Sequence, residues 1–158
     1  MSAICSKFIG HWQGTSSLFL KQHSSSCFES KTELSVNPAV NRRFMEFNYH
    51  WQHEEKNQQG VILVGSELKP GELCATWTDT WHQNREIMSC HGLLETEKDL
   101  TIEGKYPVEE GPDWHWRIHL QLLSKNELTM TMHNISPEGQ EELAVKACYT
   151  RNANTTHH

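Results

Sequence analysis

Two indoles flank a single carboxylate in the segment Trp77-Thr78-Asp79-Thr80-Trp81. Such a group can do one of two things. Asp79 can accept backbone N–H bonds in a turn while the tryptophans plug one end of a fold. Alternatively the indoles wall a pocket for an apolar or aromatic ligand, and Asp79 anchors its polar end. Spacing alone leaves both open. Histidines offer a second chemistry. His115 and His119 share one face of an extended strand, and His133 falls on the next apolar segment. Three imidazoles on neighbouring strands would make an open zinc site. The alternation described below turns all three outward, so surface histidines are the preferred reading and no metal is expected. No nucleophile elbow, paired-carboxylate spacing or glycine-rich phosphate loop is present, and no catalytic residue is assigned.

The elements that must position these groups read as strands. Apolar and polar residues alternate in short runs between turn residues, and long patterns at i, i+3, i+4 are missing beyond the first few positions. About ten strands follow: His11 to Leu20, Phe28 to Val36, Arg43 to Trp51, Val61 to Glu67, Leu73 to Thr78, Ile87 to His91, Leu100 to Tyr106, Trp114 to Leu123, Glu127 to Asn134 and Glu142 to Arg151. A single helical turn is expected at Ala3 to Ile9. Asn37-Pro38 should end the second strand, a charged turn should span His53 to Gln59, and Lys69-Pro70-Gly71-Glu72 is a strong turn signal.

Alternation also assigns an inner face: Trp114, Trp116, Ile118, Leu120 and Leu122; then Leu128, Met130 and Met132; then Leu143, Val145, Ala147, Tyr149 and Arg151. The expected class is all-β, a single antiparallel up-and-down barrel of about ten strands over residues 1–151. The polar stretch 152–158 is expected to be a disordered tail, and His157-His158 is set aside as a tag remnant.

With 158 residues the chain can bury a sizeable core. Twenty acidic against 14 basic residues give a net charge of −6 with no basic block, which argues against nucleic acid as a partner. No apolar run reaches the length of a membrane span and no signal-peptide pattern opens the chain, so membrane insertion is not expected and a cytoplasmic location is. Five scattered cysteines without Cys-x-x-Cys read as thiols rather than a disulfide framework.

Gly10-His11-Trp12-Gln13-Gly14 near the start and Tyr149-Thr150-Arg151 near the end resemble the closure signature of the calycins, the lipocalin and fatty-acid-binding-protein superfamily. The resemblance implies that the first and last strands pair, with Arg151 packed across Trp12 to close the barrel. Three further pieces, Trp77 to Trp81, Trp116-Arg117 and Met132 to Gly139, are similar to an uncharacterised lipocalin-like branch named only as a domain of unknown function. That likeness spans Phe8 to Arg151 and implies a ten-stranded barrel with no established activity. Nitrobindin-like proteins share Gly-x-Trp-x-Gly-x-Gly at the same place and hold haem through a histidine of the later strands; here Ser16 replaces the third glycine.

The leading expectation is a carrier or sensor whose barrel holds an apolar or amphipathic ligand. Its binding residues would be Tyr49, Trp77, Trp81, Trp116, Met130 and Met132, with Asp79 or Arg117 holding a polar end. Such a barrel should be hollow. The alternatives are a haem protein using His119 or His133, an enzyme of isomerase or hydrolase type, and a self-filled barrel that assembles as a homodimer.

Overall fold

The computed structural model describes residues 5–20 and 27–153. A short 3-10 turn, Ser6–Phe8, precedes ten strands: β1 Gly10–Phe19, β2 Cys27–Ala39, β3 Phe44–His53, β4 Lys56–Ser66, β5 Glu72–Asp79, β6 Met88–Thr96, β7 Asp99–Tyr106, β8 Trp114–Ser124, β9 Glu127–Ile135 and β10 Glu141–Arg151. Each pairs antiparallel with its sequence neighbours, and β1 pairs with β10, so the sheet closes into one barrel. Closure removes every free sheet edge. Among the described residues no helix is long and apolar enough to cross a membrane.

Trp12 stands opposite Arg151 in the β1–β10 register. The Arg151 Cζ lies 4.1 Å from the centre of the Trp12 ring, as the end motifs imply. Its guanidinium donates to the carbonyls of Ile9 at 2.5 Å, Lys7 at 3.2 Å and Lys125 at 3.0 Å, and the Trp12 Nε1 donates to Phe8 O at 3.0 Å. Gly10 makes room for this: a Cβ there would lie 2.6 Å from Arg151 Nη1. The 3-10 turn pushes Phe8 into the barrel floor, edge-on to Phe47 at 5.8 Å. This is the closed end.

Several local expectations are corrected. Strand β2 runs through Asn37 and Pro38 to Ala39, because a proline near a strand end removes one donor without breaking the ladder. The chain then turns at Val40, Asn41 and Arg42, all at positive φ. The β3–β4 turn is only Glu54-Glu55, with φ of 50° and 64°. Positive φ at both positions matches the strand twist, so pairing continues to His53–Lys56. Leu143 is exposed rather than inward, since the β10–β9 register shifts between Leu143 and Val145. Asn152 is held by its N–H to His11 O at 2.8 Å; residues 154–158 of the expected tail, and the start of the expected helical turn, lie outside the described residues.

Candidate functional site

Strand β5 ends on Asp79 at the open end, and local geometry there depends on a missing side chain. Gly60 stands between Tyr49 and Asp79 in the pairing of β3, β4 and β5. A Cβ on Gly60 would fall 2.1 Å from the Tyr49 ring, so only glycine lets the phenol lie across β4. Tyr49 thereby donates its O–H to Asp79 Oδ2 at 2.7 Å, and Trp51 Nε1 donates to the same oxygen at 3.3 Å. Trp77 Nε1 in turn donates to Tyr49 Oη at 3.0 Å. Burial, then the Asp79 charge, holds the Tyr49 hydroxyl neutral far above its ordinary range, so it acts as a donor.

The other carboxylate oxygen, Oδ1, accepts the backbone N–H of Trp81 at 2.8 Å and His82 at 3.1 Å. Gln83 and Asn84 donate their N–H groups to the Asp79 carbonyl. A carboxylate that captures the N–H groups two and three residues on folds the chain back sharply, and here it tucks the segment 80–87 over the barrel mouth. The Asp79 carboxylate thus engages four protein donors and its carbonyl two more. These bonds give the turn-forming arrangement, one of the two the sequence allowed.

Above this knot lies a run of aromatic rings. Trp77 and Trp116 stack at 5.3 Å with an interplanar angle of 8°. The His82 ring sits 5.0 Å from Trp116 and 4.8 Å from Trp81. Trp51, Trp81, His53 and Phe28 continue the row towards the rim. Burial lowers the His82 pKa below its ordinary value, with the Asp79 charge opposing, so the ring is neutral at pH 7. Trp116 is 8 % exposed, and its Nε1 is buried with no acceptor. Asn134, opposite Trp116 in the register, accepts from Tyr106 Oη at 2.5 Å instead.

The expected hollow interior is corrected. Below the knot the barrel holds a cavity of about 10 Å³, bordered by Ser16, Thr32, Tyr49, Asp79 and Tyr149 among others. That admits at most one water. Phe8, Trp12, Met45, Phe47, Ile62 and Ile118 are large and fully buried, and they fill the lower barrel between them. Free volume lies outside the barrel interior: a cleft of about 540 Å³ flanks the closed end at Lys7, Leu122 and Arg151, and two more lie at the open end. One cleft of about 510 Å³ is bordered by Leu18, Trp81, His82, Trp114, Trp116 and Leu143. Another of about 410 Å³ lies against Trp77, His82, Ile87, Met88, Tyr106 and Trp116. Each falls in the size range of small-molecule sites.

The structure therefore brings together Tyr49, Trp77, Asp79, Trp81 and Trp116. Met130 and Met132 line the small inner cavity. Arg117 is not among them: it points outward and pairs with Glu141. His119, also on the outer face, meets Asp99 at 2.5 Å, and His115 faces Glu103 at 3.9 Å. His133 stands opposite Arg117 on that same outer face. Neither His119 nor His133 reaches the interior, so these two are not placed to hold a haem inside the barrel. Among the described residues no group of three or more His, Cys, Asp or Glu is placed to hold a metal ion. Sequence reasoning missed His82 and Gly60. An aspartate closing a strand is a signal for the former, and a glycine inside an apolar strand for the latter.

A family model described as "Protein of unknown function (DUF1579)" matches residues 2–151. The chain belongs to that family. No curated protein matches the sequence. Among solved structures, Rv2717c from M. tuberculosis is similar at TM-score 0.64 with 12 % identity, covering 93 % of this chain and 94 % of that one. A redesigned beta barrel is similar at TM-score 0.49 with 13 % identity, covering 96 % and 97 %. At such identities the first of these supports the barrel fold alone.

Proposed function

We propose that this DUF1579 protein is a carrier or sensor that binds a small amphipathic molecule at the open end of its barrel, in the two clefts that meet at Trp116. The observation that carries the reading is the Trp116 indole. It borders both clefts, and its buried N–H has no acceptor. An unsatisfied buried donor costs about 1–3 kcal/mol, which a ligand bearing an acceptor would recover. The calycin resemblance of the end motifs supports the same reading, because a cup closed at one end takes ligands through the other.

The test is titration with anilinonaphthalene sulfonate, whose fluorescence rises in apolar surroundings. Micromolar binding is expected. Ala144→Trp, which fills the larger cleft, should weaken it at least tenfold, whereas Met130→Leu in the inner wall should not. No binding, or binding indifferent to Ala144→Trp, would refute a site at the mouth. A second reading, assembly through the rim, draws on the exposure of Trp81, Ile87 and Leu143 around that opening. A monomer mass by sedimentation at tens of micromolar would remove it.

A further inference from the structure

We propose that the His82 imidazole is a built-in placeholder: it occupies the seat of a flat aromatic ligand carrying a hydrogen-bond acceptor, which displaces it and accepts from Trp116 Nε1. The inference rests on the reading of the open end as a binding site and names the class of molecule that site takes.

The seat has the right shape. His82 is surrounded by four indoles, with ring centres at 4.8 Å (Trp81), 5.0 Å (Trp116), 5.8 Å (Trp77) and 5.9 Å (Trp51). Such a surround favours a flat π-system in offset or edge contact, and a five-membered ring covers little of four indoles. His82 also borders the small inner cavity and both clefts. When its ring swings away, the three spaces become one.

Its hold is loose where it matters. The ring makes no hydrogen bond among the described residues, while the backbone N–H is tied to Asp79 Oδ1. The side chain can therefore rotate out while the loop stays folded. What it leaves behind explains the acceptor. With His82 in place the Trp116 N–H is orphaned, and the amide oxygen of Asn134, opposite it in the register, is already engaged by Tyr106. A wider ring with a carbonyl oxygen or ring nitrogen would satisfy that donor.

Calorimetric titration with acetylnaphthalene and ethylnaphthalene tests this, since the two share a shape and differ by one carbonyl. The wild-type protein should bind the acetyl compound about tenfold more tightly. His82→Ala should tighten both by roughly fivefold, because the competing ring is gone; the backbone bond to Asp79 survives that change, and a thermal melt confirms the fold. Trp116→Phe keeps a ring but should erase the preference for the carbonyl. Weaker binding to His82→Ala would make His82 a wall of the site, overturning the placeholder while the site stands. Equal affinities in the wild type, or a preference that survives Trp116→Phe, would overturn the acceptor. Binding of neither probe would refute both the placeholder and the site beneath it.

Discussion

The two ends of the barrel are built from the same kinds of residue and finished differently. At the closed end an indole and a guanidinium are satisfied by backbone carbonyls: Trp12 by Phe8, Arg151 by Ile9, Lys7 and Lys125. At the open end a knot around Asp79 is equally well paired, yet the layer above it leaves Trp116 Nε1, His53 Nδ1 and Gln83 Oε1 buried without partners. Satisfied polar groups over a filled interior make the closed end a structural seal, and among the described residues the cleft of about 540 Å³ beside it is bordered by no buried unsatisfied side-chain polar atom. At the open end the unsatisfied polar atoms of Trp116 and Gln83 border clefts of about 510 and 410 Å³, and on that feature the proposed binding site rests.

Four perturbations would sharpen or break that contrast. The largest effect is expected at the seal. Trp12→Ala removes a fully buried indole and the platform for Arg151, and should cost roughly 3–5 kcal/mol in chemical denaturation. Next comes the knot: Asp79→Asn presents an amide to donors that need acceptors, and should cost about 2–3 kcal/mol. Gly60→Ala forces a Cβ into the Tyr49 ring and should cost about 1–3 kcal/mol while releasing the segment over the mouth, visible as faster amide exchange there.

The smallest effect is one of pH. Burial depresses the His82 pKa below its ordinary value of 6.5, and does the same for His133, where Arg117 adds to it. Each stays neutral in the fold where the unfolded chain would take up a proton. Stability is therefore full above about pH 6.5 and declines as pH falls through that value towards the folded pKa. His82→Ala should flatten part of that decline, by under about 1 kcal/mol. An unchanged slope would mean that His82 is not held neutral in its aromatic seat.

The closed end was legible because its geometry follows from register. Once β1 and β10 pair, Trp12 and Arg151 are neighbours, and alternation correctly turned Trp116, Met130, Met132 and Tyr149 inward. Leu143 escaped this logic, since a one-residue register shift changes the face that a strand presents. The filled interior was not legible either. Whether a barrel is hollow depends on side-chain volumes summed across all strands and on the Phe8 plug, neither of which a single period reveals. His82 was the hardest to find. It lies in an aperiodic stretch, and only the capture of its backbone N–H by Asp79 carries it among the tryptophans. Arg117 was assigned to the rim as a polar anchor, although its own alternation already turned it outward.

The most direct measurement of the central claim compares the two ends in one experiment. The indole N–H signals of the tryptophans are assigned by NMR through single Trp→Phe variants and followed during titration with acetylnaphthalene. The account predicts that the Trp116 signal moves strongly downfield as its N–H gains an acceptor, that the Trp81 signal moves with it, and that the Trp12 signal stays fixed. A stationary Trp116 signal, or shifts as large at Trp12 as at Trp116, would contradict it.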